Sequence, residues 1–198
     1  MFELPTKLTI ADEEFGIRDD GDFKMVLDCF SALQDEELPK KNRLMTAVVI
    51  FYDGFSLDNV FDYLDTAEKW DSAIEQMYNF FNCGQTNIGN RSQAKLVDWE
   101  QDNHLIASAI NKVANTEIRS VDYMHWWTFM GYYISIGESV LSTVVQIRSK
   151  IVDGKKLEKH EQEFKRKNPD YFVWNRTTVE QREADAYIRE IWNKGKED

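Results

Sequence analysis

Residues 122–133 read DYMHWWTFMGYY, a run dominated by large apolar and aromatic side chains, with Trp126 and Trp127 adjacent. Neighbouring residues sit about 100° apart on a helix and on opposite faces in a strand, so no regular element turns both tryptophans to one surface. Such a run has to be covered from more than one side. At helical spacing, Met124, Trp127, Met130 and Ile134 share one side, while Trp126, Phe129 and Tyr133 take the adjoining one. The apolar surface then wraps well over half of the cylinder, as in a helix set in the middle of a domain. This reading makes Trp127 the core anchor. It leaves the face of Trp126, Phe129 and Tyr133 to pack mostly on the chain's own helices, with only its margin reaching a partner. Those three residues are candidate partner-binding positions.

The rest of the chain supplies helices that can do the covering. The opening alternates well enough for two short strands, 7–10 and 14–18, joined by a tight turn at 11–13, and a lone hairpin of this size must pack on something. After Asp22, the spacing of Phe23, Val26, Leu27 and Phe30 predicts an amphipathic helix, with Cys29 as a small hydrophobe on its face. Pro39 suits the first turn of a helix carrying Leu44, Ala47, Val48 and Phe51, ending near Asp53–Gly54. Ser56 is a natural N-cap for a longer segment in which Val60, Tyr63, Ala67, Trp70, Ile74, Met77 and Phe81 alternate by three and four, with Gly84 as a stop. Such a heptad-like seam serves either a coiled coil between molecules or packing within one domain; the second reading makes it the cover for Trp126.

Residues 85–97 read as a polar loop, and helix resumes around Asp98 with Leu105, Ile106, Ala109, Ile110 and Val113 on one side. Ser120 can cap the helix that holds the two tryptophans. Gly137 interrupts it, and Val140, Val144, Val145 and Ile147 carry helix on to about Ser149. A charged helix follows from about 156 to 168 and stops at Pro169. The last segment, 178–193, has Thr178 before it and Gly195 after it, but few hydrophobes; of these, Tyr187, Ile191 and Trp192 join the candidate partner-binding set. The expected class is mainly α, a bundle-like domain of six to eight helices with a short N-terminal β-hairpin. The expected organisation is a body, 1–168, and a separable helical extension, 169–198.

Composition and motifs narrow the function classes. The chain carries a net charge of −11, and it is uneven: residues 1–110 hold 21 acidic and 9 basic side chains, residues 111–198 hold 14 and 15. Binding to phosphate backbones depends on clustered Lys and Arg, so no nucleic-acid partner is expected; the basic run 148–167 reads as a solvated helix face. Met1 is followed by no basic start and no apolar core of a signal peptide, and the longest apolar run, 47–52, is far short of the ~20 residues that span a bilayer. The two cysteines read as free thiols, and the three histidines lie too far apart for a metal motif. There is no phosphate-cradling glycine motif, nucleophile elbow or CxxC. Carboxylate pairs such as Asp62/Asp65 and Glu161/Glu163 fall on segments that look solvated. His125 is the most catalytic-looking residue, yet a histidine satisfied inside a packed helix describes it better. The expectation is a soluble cytoplasmic protein, not an enzyme, without cofactor or metal and without a membrane partner.

Several stretches carry a family resemblance: LPTKLTI with EEFGIRDDGDFKMVLDCF, FFNCG at 80–84, DWEQDNHLIASAIN, VVQIRSK, EQEFKRKN and above all SVDYMHWWTFMGYY. Together they resemble the gene-product-fifteen family of tailed phages and prophages of Gram-positive bacteria, over about residues 3–168. Val121, Tyr123, His125, Trp126, Trp127 and Phe129 fill the positions of the family's signature run, and Ile147–Arg148 fall at its I-R ending. The segment 56–81 looks longer than the usual family stretch, and residues 169–198 extend beyond the common end. By gene setting and helical character the resemblance implies a tail assembly chaperone. Such a protein acts in the cytoplasm of the bacterial host, holding the long, apolar tape measure protein soluble until tube subunits polymerise around it. A structural component of the tail or neck is the alternative, and self-association is compatible with both.

Overall fold

The computed structural model describes residues 3–85 and 96–174. Among them are a two-stranded antiparallel hairpin, β1 (Lys7–Ile10) and β2 (Glu13–Gly16), and eight α-helices. The fold is mainly α, as the hydrophobic spacing implies. The helices are α1 (Phe23–Gln34), α2 (Lys40–Phe51), α3 (Val60–Tyr63), α4 (Ala67–Phe81), α5 (Asn103–Ala114), α6 (Trp126–Ile134), α7 (Val140–Val152) and α8 (Lys159–Lys167). Short 3-10 turns lie at Arg18–Gly21, Ile118–Ser120 and Pro169–Phe172.

The hairpin turns on Ala11 and Asp12, both at positive φ (45° and 71°), with Ile10 paired to Glu13. Two left-handed residues match the twist of the flanking strands, which is why the turn needs only two residues. Ile10 is fully buried, and Phe15 meets the rings of Tyr52, Phe55 and Tyr63 edge-on at 6.4, 5.5 and 6.1 Å. The second strand stops at Gly16 rather than reaching Arg18. Arg18 turns away because its guanidinium donates to the carbonyls of Val49, Ile50, Tyr52 and Phe55 at 2.9–3.1 Å. Val49 and Ile50 are among the orphan acceptors at the end of α2, where a cation is favourable, and Tyr52 and Phe55 lie just beyond it.

The 60–81 seam is where the fold departs most from the sequence reading. One continuous helix was the expectation; the chain breaks at Leu64 (φ −103°, ψ 65°), and Thr66 caps a new helix by accepting from the Lys69 amide at 3.2 Å. The buried stripe of α4 is Ala73, Met77, Phe80 and Phe81, while Trp70 and Ile74 are half-buried and Tyr63 and Ala67 exposed. Leu64 itself stays buried in the core at the break, and the hydroxyl of Thr66 starts the new helix two residues later.

In the second half, α5 begins at Asn103 rather than near Asp98. Asp98 instead ties a turn, accepting from the amides of Glu100 and Gln101 at 2.9 and 2.8 Å. Ser120 caps no α-helix: it closes a 3-10 turn, and the helix with the two tryptophans starts six residues later, after His125. Reciprocal capping boxes start α7 (Ser139/Ser142) and α8 (Glu158/Glu161).

One buried ion pair joins these pieces. Arg148 and Asp102 face each other bidentately at 2.6 and 2.9 Å, both nearly inaccessible to solvent. Arg148 also donates to the carbonyls of Leu96 (2.9 Å) and Tyr171 (2.8 and 2.6 Å), and Trp174 lies over it at 4.3 Å. Every strong donor of the guanidinium is thereby matched, as a buried charge requires. Residues 169–174 thus lie against the body, joined also by Gln101 to the carbonyls of Asp170 and Val173 and by a Phe164–Phe172 ring contact. A boundary at 168 cuts through this docking. The helix expected at 178–193 lies outside the described residues.

Replacing Asp102 by Ala strands the Arg148 charge and should cost ~3–5 kcal/mol in chemical denaturation. A chain ended after Trp174 should also melt above one ended after Asn168, because only the shorter one removes the Tyr171 acceptor.

Candidate functional site

The aromatic run at 122–133 is the first place to look for a site, and the structure gives most of it a structural task. His125 is the N-cap of α6, its Nδ1 accepting from the Trp127 amide at 3.1 Å, so the helix begins with the two tryptophans themselves. Both indoles then reach the same place. Trp126 donates its Nε1–H to the Phe81 carbonyl at 2.9 Å, and Trp127 donates to the Phe80 carbonyl at 3.0 Å. Two adjacent residues, about 100° apart, satisfy two successive carbonyls at the end of α4. The chain leaves α4 through Cys83 and Gly84 at positive φ, and the ring of Trp127 lies against Gly84, where an added Cβ would stand 3.3 Å from it.

The roles of the tryptophans are the reverse of those expected. Trp126 is the core residue, 1% exposed, among Phe30, Trp99 and Phe129 at ring distances of 5.3–5.8 Å. Trp127 is half-buried, and Ile134 on its side is 71% exposed. The inward stripe of α6 is Trp126, Phe129 and Tyr133 because α1 packs there: Phe23 stacks on Phe129 at 4.7 Å. Trp126 and Phe129 are therefore covered by the chain itself and present no surface to a partner. Tyr133 is half-buried beside Trp99, at 5.2 Å. Tyr187, Ile191 and Trp192 lie outside the described residues. The end of α4, part of the expected seam, does cover Trp126, but through Phe81 with its carbonyl and not through the whole seam.

The residues before α6 bind the N-terminal region. Asp22 caps α1 through the Lys24 amide (2.8 Å) and takes the Met124 amide on its other oxygen (2.8 Å), while Phe23 donates to the Met124 carbonyl at 2.9 Å. Tyr123 donates its hydroxyl to the Asp20 carbonyl at 3.1 Å, and Lys24 donates to the Val121 carbonyl at 2.6 Å. Gly21, at φ +80°, lies so close that an added Cβ would fall 2.7 Å from Phe80 and 3.1 Å from His125.

His125 holds one tautomer. Its Nε2–H donates to the Pro5 carbonyl at 3.1 Å and its Nδ1 accepts, so a second proton would set two donors face to face. Burial pulls its pKa below 6.5; the Pro5 carbonyl and the charges of Asp20 and Asp22 oppose that only in part. The imidazole is an intact cap, not a base facing solvent.

The other sequence candidates for chemistry are also accounted for. Glu161 is buried, bound to Lys150 at 2.6 Å and to the Glu158 amide at 2.8 Å, as a cap of α8. Within the basic run 148–167, Arg148 faces inward and Lys150, Lys155 and Lys167 pair with Glu161, Asp153 and Glu163. Cys29 and Cys83 are free thiols, both raised in pKa by burial first. Among the described residues, no group of three or more His, Cys, Asp or Glu is placed to hold a metal ion, and no helix is long and apolar enough to cross a membrane.

Among the described residues the packing leaves open a wide cleft along α7, lined mostly by polar residues and about 870 Å³ beside Gly137, Ser142 and Lys150, and a more apolar groove between α2, α3 and α4. The groove encloses about 260 Å³ and is lined by Lys41, Leu44, Met45, Phe61, Trp70 and Ile74. Phe61 is 54% exposed and leans on Trp70 at 5.7 Å. Trp70 and Ile74 were legible as members of the 60–81 seam. Phe61 lay off it, and only the break at Leu64 brings it beside Trp70.

Trp126→Ala should cost ~3–5 kcal/mol, the penalty for deleting a buried large aromatic; Trp127→Ala should cost clearly less. Paired denaturation curves measure this difference. His125 adds a pH dependence. The unfolded imidazole titrates near 6.5 and the folded one lower, so protonation favours the unfolded chain. Its contribution is fully present above about 6.5 and is lost as pH falls through the folded value. A His125→Gln variant should flatten the fall in stability that sets in as pH drops below about 6.5.

Neither a comparison with curated proteins nor one with solved structures gives a match. A family model described as Bacteriophage Gp15 protein matches residues 2–172, so it takes in the hairpin, all eight helices and the Tyr171 acceptor of Arg148. With most of its length matched, the chain belongs to the bacteriophage Gp15 protein family.

Proposed function

We propose that this protein is a tail assembly chaperone of a phage, acting without catalysis in the cytoplasm of the bacterial host on the tape measure protein. Family membership supports the coarser statement, a structural or assembly role in a phage. One observation carries the finer one. The chain has a net charge of −11, which keeps it dispersed, yet it presents an aromatic-lined groove with Phe61 more than half exposed. A client that is long, helical and apolar needs a carrier of this kind, soluble itself and able to hold an amphipathic helix. The structural alternative is a component that stays in the tail or neck.

Co-expression with the tape measure protein encoded in the same phage should keep that protein in the soluble fraction and retain it on the tagged chain. Purified virions should lack the chain. A stoichiometric band in virions would replace the chaperone by the structural component, and failure to retain the tape measure protein would end the chaperone reading.

A further inference from the structure

We infer that the α2–α3–α4 groove is a docking site for an amphipathic helix of a partner protein whose apolar stripe is flanked by Lys or Arg. The inference rests on the chaperone reading only for which protein carries the helix. Successive residues of α4 are rotated by about 100°. Passing outward from its buried stripe, Trp70 and Ile74 come first, in the groove, and Tyr78, Asp71 and Glu75 follow, all exposed. The α4 wall of the groove is therefore acidic. Its neighbours strengthen the bias on that side: residues 53–75 hold seven acidic side chains and one basic, Lys69, whose amine sits 3.2 Å from Asp65 and 3.6 Å from Glu13. The α2 side carries Lys40, Lys41 and Arg43. The floor is apolar, formed by Leu44, Met45, Phe61, Trp70 and Ile74, with Lys41 as the one basic side chain among the lining residues. A guest helix buries its stripe on this floor and sets its basic flank against Asp71 and Glu75. An acidic flank would meet like charge there. Apolar contact supplies the affinity and the wall supplies the selection and the orientation.

The test uses ~15-residue amphipathic peptides, long enough to sustain a helix, that share one Leu/Ile stripe and carry either Lys or Glu beside it. Fluorescence anisotropy against the full chain should favour the Lys peptide severalfold, and the preference should shrink with added salt. Phe61→Ser, at an exposed position, should weaken binding by about tenfold or more, the signature of a lost aromatic anchor. The double variant Asp71→Lys, Glu75→Lys should invert the preference toward the Glu peptide. Equal binding of both peptides, or binding untouched by Phe61→Ser, overturns the proposal. Two other occupants would also overturn it. If the chain is a dimer and Phe61→Ser makes it a monomer, a second copy holds the groove. If the peptide binds only after Ile191→Ser and Trp192→Ser in the full chain, the C-terminal segment holds it. The outcomes separate from those of the chaperone reading. Tape measure protein retained equally by wild type and Phe61→Ser removes the groove but keeps the chaperone. Lys peptide bound at the groove without any tape measure protein retained does the opposite.

Discussion

The structure hangs on the meeting of α6 with the end of α4. Helix C-termini leave carbonyls without partners, and leaving such groups buried and unmatched costs about as much as a lost hydrogen bond. Here the Trp126 indole takes the carbonyl of Phe81, the Trp127 indole adds a second donor to that of Phe80, which the Cys83 amide also meets, and the same rings fill the space around them. Polar satisfaction and apolar burial therefore occur in one contact. That resolves the adjacent tryptophans: they do not share a face, but they share a target, approached from two sides of a helix that starts just before them.

Three other polar side chains extend the scheme. Asp22 ties the start of α1 to the strand-like entry of α6. Arg18 ties the hairpin to the end of α2. Arg148 joins α7 to the Asp98–Asp102 turn and to the segment after α8. Each meets backbone groups at an element's end, where hydrogen bonds are otherwise missing, and each links segments far apart in the sequence. The hydrophobic core alone fixes distance between helices; these contacts fix register.

The run that carries the family resemblance is accordingly a set of joints. Tyr123, His125, Trp126, Trp127 and Phe129 all contact the chain's own backbone or rings, and this is sufficient physical reason for such a run without any ligand. Fold and activity are separate questions, and a signature made of joints speaks to the first. Surfaces that packing does not consume are where a partner can bind. The α2–α3–α4 groove, apolar within and acidic along α4, is such a surface.

By itself the sequence determined the helical class, the hairpin and the stops at Gly84 and Pro169, whereas the caps of α1 at Asp22 and of α7 at Ser139 emerged only in the structure. The class, the hairpin and the stops follow from local chemistry: periodicity, and a residue that tolerates positive φ or lacks an N–H. The existence of a doubly covered aromatic helix was equally legible, since no helix hides Trp126 and Trp127 on one side. Which tryptophan turns inward was not. That depends on Phe23, Phe30 and Trp99 arriving from elsewhere, and spacing within one helix cannot see them. The same limit hid the break at Leu64, where the chain leaves helical geometry and restarts at the Thr66 cap despite a regular three-and-four pattern, and the inward turn of Arg148, which reads as part of a basic run. The groove came from the same decision: only a broken helix brings Phe61 beside Trp70. Local sequence set the elements, and long-range packing chose their faces, because a face has no meaning until something lies against it.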